Sequence, residues 1–222
     1  MSETNAPVSE ARRRRQRRKR RRILRRVLTL LLLAAALAVV LFFKQKPGTA
    51  EGGPKVLQNV TMPEWVDVQI IPVNGSGRRG VPLEDITAIV VHYVGNPGTS
   101  AQQNHDYFAQ ETTNVSSHFL VGLQGEILQC VPLNEKSSAT NDRNRDTISI
   151  EVCHPDESGV FNRESYDALV KITAWLCDLC GFDSHNVIRH YDVTGKVCPK
   201  QFVEDENAWT QFLADVDAAL TK

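Results

Sequence analysis

The sequence predicts an α/β fold: a mixed central β-sheet flanked by helices, forming a single domain preceded by one N-terminal transmembrane helix. Three observations predict it. Short β-branched runs alternate with segments of helical periodicity over most of the chain. Two of those runs are separated only by a glycine-containing turn, which adds an antiparallel hairpin to the sheet. An uncharged apolar stretch near the N-terminus stands apart from the rest.

The chain has 222 residues, enough for one ordinary domain with additions, and its formal net charge of zero conceals two opposite parts. Residues 1–51 carry 14 Lys and Arg against 3 acidic residues, a net of +11, whereas residues 52–222 carry 12 against 23, a net of −11. Such asymmetry places the two parts in different environments. The basic excess lies in ARRRRQRRKRRRILRR (11–26), and the polar, aperiodic segment 1–26 is expected to be a disordered tail.

Alone, that block reads as a nucleic-acid arm. It is followed, however, by VLTLLLLAAALAVVLFF (27–43), 17 residues without a charge. As a helix this run covers about 25 Å, near the short end for crossing a bilayer, and the stems of Arg25, Arg26 and Lys44 extend it. Twelve Lys and Arg precede the run and two, Lys44 and Lys46, follow it. The expected topology is therefore a single-pass cell-membrane protein with a cytoplasmic N-terminus, an extracytoplasmic domain and no nucleic-acid role. A cleavable signal peptide competes with this reading. It would have a shorter apolar core and a small-x-small cleavage site, whereas this run ends Phe42-Phe43-Lys44-Gln45-Lys46. Residues 44–55, KQKPGTAEGGPK, read as a linker and 56–222 as the folded domain, expected to be monomeric.

Within that domain, ITAIVVHY (86–93) reads as a buried strand, and 100–110 as a helix with Thr99 at its N-cap. Strands at 118–122 and 126–131 flank the turn Leu123-Gln124-Gly125. TISIEV (147–152) alternates as a strand. Residues 163–180 place Tyr166, Leu169, Val170, Thr173, Leu176, Cys177 and Cys180 on one helical face, and Gly181 ends the helix. A short strand at 186–190 and a closing helix at 206–220 complete the domain.

The chemistry-bearing residues sit at element ends. In HYDVTGKVCP (190–199), His190 and Cys198 flank seven residues that include Gly195, and a turn there can bring the two together. Imidazole and thiolate are good zinc ligands, and catalytic zinc takes three protein ligands with one open position. His92, ending an apolar strand just before Gly95-Asn96-Pro97-Gly98, is the best third candidate. Each also has a plainer reading: a strand-end His is more often hydrogen-bonded surface or core, and a lone buried Cys more often packing. Glu151 shares a strand face with Thr147 and Ser149, opposite Ile148, Ile150 and Val152, and a carboxylate there needs a partner or a task. Lys196 can bring positive charge to the same place. His118 is a candidate for lining the substrate groove, with a structural role equally open. His154 lies past the strand end, and His105 and His185 read as surface residues. Of the five cysteines, Cys177 and Cys180 have the spacing of a redox or metal motif but share the apolar helical face, and core packing is the expected role. Cys130 and Cys153 read as small core residues, with a disulfide as the alternative.

Four stretches together resemble the type 2 zinc N-acetylmuramoyl-L-alanine amidases, a family that includes phage endolysins and is related to peptidoglycan recognition proteins. They are IVVHYVGNPGTSA (89–101), SSHFLVGLQGEILQCVP (116–132), NRDTISIEVCHP (144–155) and RHYDVTGKVCP (189–199). The resemblance implies one catalytic zinc on His92, His190 and Cys198, a catalytic glutamate at Glu151 and a basic residue at Lys196 assisting the polarised carbonyl. It also implies a peptidoglycan substrate. Some relatives use a Tyr before the hairpin; Ser117 stands there in this chain and no role is carried over to it. Two other functions remain in view. A non-catalytic recognition module typically lacks the Cys ligand that is present here, and a zinc peptidase acting within the stem peptide would use the same three ligands.

Overall fold

The computed structural model describes residues 52–220 together with Ile23, Leu24 and Thr29. By its internal contacts the chain divides into Met1–Gly48 and Thr49–Lys222. In the first unit the three described residues are helical. The tail expected at 1–26, the anchor at 27–43 and the start of the linker otherwise lie outside the described residues. Among the described residues no helix is long and apolar enough to cross a membrane.

The second unit is built on a six-stranded sheet, counted among the described residues, in the order β1-β4-β3-β5-β2-β6. The strands are β1 (Val66–Val68), β2 (Ala88–Tyr93), β3 (Phe119–Val121), β4 (Ile127–Gln129), β5 (Thr147–Val152) and β6 (Val187–Arg189). Every neighbouring pair is parallel except the β3–β4 hairpin, so the sheet is mixed as expected. In the hairpin turn Gly125 has φ of +79° and a Cβ there would meet the Glu164 carbonyl oxygen at 3.0 Å, so both the turn and the helix beside it require glycine.

Among the described residues of this unit five α-helices are interleaved with or follow the strands: α1 (Ala101–Phe108), α2 (Arg163–Cys180), α3 (His190–Thr194), α4 (Lys200–Glu204) and α5 (Glu206–Leu220). The α2 helix starts on Asn162, whose side chain accepts from the Ser165 N–H, and stops at Gly181 in the left-handed region. Its buried Leu169, Ile172 and Leu176 join α5's Phe212 and Val216 over one face of the sheet, against Ile89, Val91, Phe119, Ile148, Ile150 and Val152. Full burial of each such side chain contributes roughly 1.5–3 kcal/mol. On the opposite face α1 packs Ala101 and Phe108 with Leu120, Leu128, Cys130 and Cys153. Alternation along β2 and β5 therefore turns His92 and Glu151 away from the main core.

Local differences from the sequence expectations have physical causes. The α1 helix is capped by Ser100, not Thr99: Ser100 and Gln103 form a reciprocal capping box, while the Thr99 hydroxyl is committed to the Asn96 carbonyl at 2.7 Å. The last strand stops at Arg189, because the Asp192 carboxylate accepts the Arg189 N–H at 2.8 Å and starts a helix at His190. The β1 strand, three residues with only Val66 buried, carries too little pattern to be read in advance. All five cysteines are free thiols; Cys130, Cys153 and Cys177 are buried core residues and Cys180 is half-buried.

Candidate metal centre

The three parallel strands β2, β5 and β6 run side by side, and their carboxyl ends form one rim of the sheet. Open α/β sheets bind ligands at such rims. His92 and Glu151 are register partners on β2 and β5. Arg189 ends β6, and His190 is the next residue. Gly195, at φ +75°, then reverses the chain, and the Tyr191 N–H donates to the Cys198 carbonyl at 2.9 Å. That turn and that bond explain why seven residues separate His190 from Cys198. The whole segment is clamped by buried Arg189, whose guanidinium donates to Asp192 at 2.9 Å, to the Phe202 carbonyl at 2.8 Å and to Glu206 at 2.7 Å.

His92, His190 and Cys198 are all buried, and one nitrogen or sulfur from each lies within 4.8 Å of the others. His92 Nδ1 is 3.8 Å from Cys198 Sγ and 3.9 Å from Glu151 Oε1. Each imidazole spends its other nitrogen on a neighbour. His92 Nε2 lies 3.1 Å from Thr140 Oγ1, and His190 Nε2 lies 3.1 Å from Asn141 Oδ1. The amide oxygen only accepts, so the proton of His190 resides on Nε2 and its Nδ1 lone pair is left over. That Nδ1 is buried with no hydrogen-bond partner in the described structure.

These features fit a zinc ion. Tetrahedral zinc with bonds of about 2.0–2.3 Å spaces its ligand atoms by roughly 3.3–3.7 Å, close to the 3.8 Å between His92 Nδ1 and Cys198 Sγ. Metal-bound histidines characteristically donate their second nitrogen to an acceptor, the arrangement Thr140 and Asn141 provide.

With no metal bound the electrostatics hold these groups neutral, which suits the imidazoles as donors, whereas Cys198 must lose its proton to act as a ligand. Burial, then His190 and Lys196, holds the His92 imidazole well below its ordinary range. Burial and Lys196 lower His190 likewise. Burial pushes the Cys198 thiol up to about 12, opposed by the Tyr93 N–H and by Lys196. Glu151 is raised to about 8, first by burial, with Lys196 pulling it down. Its Oε2 is buried and without a partner. Burial without a partner favours the protonated form of such a carboxyl and raises its affinity for a proton.

Two clefts meet over this cluster. One, of about 910 Å³, is lined by His190, Asn141 and Lys196. The other, of about 540 Å³, reaches Glu151, Tyr93 and Tyr107. Lys196, exposed, and Val115 line both.

His118 is not brought to either cleft. It is fully buried, its Nδ1 accepts the Ser149 N–H at 3.0 Å, and its Nε2 lies 2.9 Å from the Glu135 carbonyl. Its place is beneath β5, supporting the strand that carries Glu151, so it is a structural residue and not a groove lining. Ser117 is also buried, donating to the Phe119 carbonyl at 2.7 Å. His154 is buried against the Tyr93 ring at 5.1 Å. His185 is exposed as expected, whereas His105 is half-buried, with Nε2 at 2.8 Å from the Gln69 carbonyl.

Sequence reasoning passed over the segment that orients the ligands. Thr140 and Asn141 sit in a polar stretch that reads as loop. The Asn144 side-chain oxygen accepts the N–H groups of Ala139 and Thr140 at 2.9 and 2.6 Å, and Asn141 takes φ of +54°, a conformation asparagine tolerates. The one available signal was an asparagine-rich run, Asn141 to Asn144, ahead of a strand.

A family model described as N-acetylmuramoyl-L-alanine amidase matches residues 82–201, more than half of the chain. The chain belongs to this family. Among curated amidases, CwlL of Bacillus licheniformis is 32% identical over 167 residues, covering 68% of this chain and 46% of that protein. BlyA of Bacillus subtilis (strain 168) is 28% identical over 172 residues, with the same coverage of 68% and 46%. The chain thus spans about half the length of the curated amidases it matches. Among solved structures, the catalytic domain of XlyA aligns with TM-score 0.60 at 26% identity, covering 68% of this chain and 98% of that one. A mutant endolysin from Bacillus subtilis aligns with TM-score 0.59 at 27% identity, covering 68% and 97%. Five of the six strands, β2 to β6, and all three candidate ligands fall inside the matched amidase region.

Proposed function

We propose that this chain hydrolyses the amide joining the lactyl group of N-acetylmuramic acid to L-alanine in peptidoglycan, with one zinc held by His92, His190 and Cys198. The observation that carries the reading is the convergence of three buried donors, within 4.8 Å of one another, beside a carboxyl whose Oε2 is buried without a partner, between two clefts that share Lys196 and Val115. Its placement in a chain of the amidase family supports the bond chosen.

When bound, zinc supplies Lewis acidity towards water and the scissile carbonyl. Glu151 takes the proton of the attacking water and delivers it to the leaving nitrogen, a double role that suits a carboxyl lifted to about 8 by burial. Lys196, at the junction of the clefts, places positive charge where the carbonyl oxygen gains negative charge. Asn141 holds the His190 imidazole in the tautomer that leaves its Nδ1 free, and Thr140 offers an acceptor to the His92 Nε2–H whenever Nδ1 is engaged. The reading includes a membrane anchor at 27–43, with the domain held outside the cell near its wall. Its support is the apolar run and the Lys and Arg bias of the sequence.

The test is mass analysis of products from purified peptidoglycan. Free muropeptide stems beginning at L-alanine are expected, chelation is expected to abolish them and added zinc to restore them. Glu151→Gln is expected to lower kcat by about 10²–10⁴ with zinc content retained. Cleavage within the stem would replace this reading by a peptidase, and binding without cleavage by a recognition module. Full activity in protein shown by elemental analysis to lack metal would remove the zinc.

A further inference from the structure

The scissile bond in the proposed reaction joins a sugar to a peptide, so the substrate must leave the metal centre in two directions. Two clefts adjoin it, one lined by His190 and the other by Glu151, sharing only Val115 and Lys196 among their lining residues. The clefts differ in chemistry. The smaller presents the Tyr93 and Tyr107 side chains together with the amide of Asn96, while the Gln103 amide oxygen is committed to the Ser100 N–H and the Asn104 amide nitrogen to Thr99 and the Ser100 carbonyl. Aromatic faces with neutral amide donors and acceptors suit an N-acetylated sugar, which carries hydroxyls and an acetamide and no cation.

The larger cleft is different. Twelve residues line it and none is acidic, while it holds two cations, Lys196 over the metal centre and Arg79 elsewhere along its wall. Arg79 is exposed and makes no hydrogen bond or ion pair among the described residues, in contrast to Arg78 beside it, which is buried and paired with Glu135 at 2.7 Å. The surface on the other side of Arg79 does not neutralise it. There Glu84 and Asp142 face Lys136, Arg145 and Arg79, and Glu84 is already paired with Lys136 at 2.6 Å. An unpaired guanidinium on the wall of an acid-free cleft is suited to a carboxylate, which it can meet with two parallel N–H donors.

We infer that the larger cleft receives the stem peptide and that Arg79 is a specificity-determining residue that pairs with a free carboxylate of that peptide beyond L-alanine, leaving the aromatic cleft to the glycan. The inference rests on the amidase reading for the identity of the bond, but not for the charge preference of the cleft. Arg79 takes no part in the proton transfers. Its effect is on which peptides are held, by roughly three- to tenfold, the range of an exposed but well-aligned arginine–carboxylate pair.

The experiment compares N-acetylmuramoyl-L-alanyl-D-glutamate with the same compound amidated at one carboxyl, at the other, and at both, on the full-length protein and on Arg79→Ala, Arg79→Lys and Arg79→Glu. Binding is read by calorimetry and turnover by product analysis. The parent is expected to bind and turn over the free acid about three- to tenfold better than the diamide. Arg79→Ala is expected to remove that preference by losing affinity for the free acid alone, and Arg79→Glu to reverse it, while Arg79→Lys retains part of it. Whichever singly amidated compound loses the preference identifies the carboxylate that pairs with Arg79. Equal binding of all four compounds by the parent, or an undiminished preference in Arg79→Ala, overturns the assignment. Selective binding without turnover in the parent would instead overturn the amidase reading while keeping the carboxylate subsite.

Discussion

Replacing Thr140 with valine removes one oxygen and keeps the shape of a fully buried side chain. In the folded protein that oxygen lies 3.1 Å from His92 Nε2, and His92 itself is 1% exposed, so water has no route to take its place. The consequence differs between metal-loaded and metal-free protein. With Nδ1 engaged by zinc, the Nε2 proton has no acceptor other than Thr140, and leaving a buried donor unsatisfied costs roughly 1–3 kcal/mol. Without zinc the imidazole is free to adopt the other tautomer, with Nε2 unprotonated and Nδ1–H directed at Cys198 Sγ 3.8 Å away, which relieves part of the cost. The penalty therefore falls mainly on the metal-bound state, and zinc affinity is expected to drop about 10- to 100-fold, in line with the loss of comparable outer contacts. The assay is zinc dissociation by competition with a chromogenic chelator, with Thr140→Ser, which restores the hydroxyl, expected to return near the parent. Asn141→Gly, removing the exposed acceptor of His190, should cost less because water can substitute there. An unchanged zinc affinity in Thr140→Val, with melting temperature of the metal-free protein also unchanged, would refute the reasoning that this loop orients the ligands.

Two further outcomes are expected. His118 sits with Nδ1 accepting the Ser149 N–H, and burial lowers its pKa to about 4 from 6.5; the unfolded chain thus binds a proton between those values that the folded chain refuses. Stability contributed by the neutral ring is complete above pH 6.5 and lost as pH falls towards 4, by about 3 kcal/mol in all. Urea midpoints from pH 7 to 4 should fall more steeply for the parent than for His118→Asn, the contributions of His92 and His190 cancelling between the two, and parallel curves would reject it. For the anchor, protease added to wall-free cells should digest the domain and spare the Arg-rich tail, whereas a protected domain would reverse the topology and a mature N-terminus near Ala50 would show cleavage.

Why the ligands could be read in advance, and the residues that orient them could not, follows from how each is encoded. The β2 and β5 strands are buried along almost their whole length, so their sequences are nearly continuous apolar runs in which a penultimate histidine and a penultimate glutamate stand out. The α2 helix was legible as 163–180 with its stop at Gly181, and the structure keeps both bounds, adding Asn162 as the N-cap. The loop from Ser137 to Arg145 encodes its position differently. Its fold depends on one amide oxygen gathering two backbone N–H groups and on an isolated left-handed residue, and neither leaves a periodic trace in composition. His118 shows the same division: its chemistry is visible as a letter, but the groups that consume it, Ser149 and the Glu135 carbonyl, come from 31 and 17 residues away. A sequence motif therefore lists which atoms can bind a metal, while the tautomer, and with it the direction each lone pair faces, is decided by partners the motif does not contain. In this chain those partners all lie between β4 and β5, so substitutions in that connection should alter metal affinity while leaving every ligand in place.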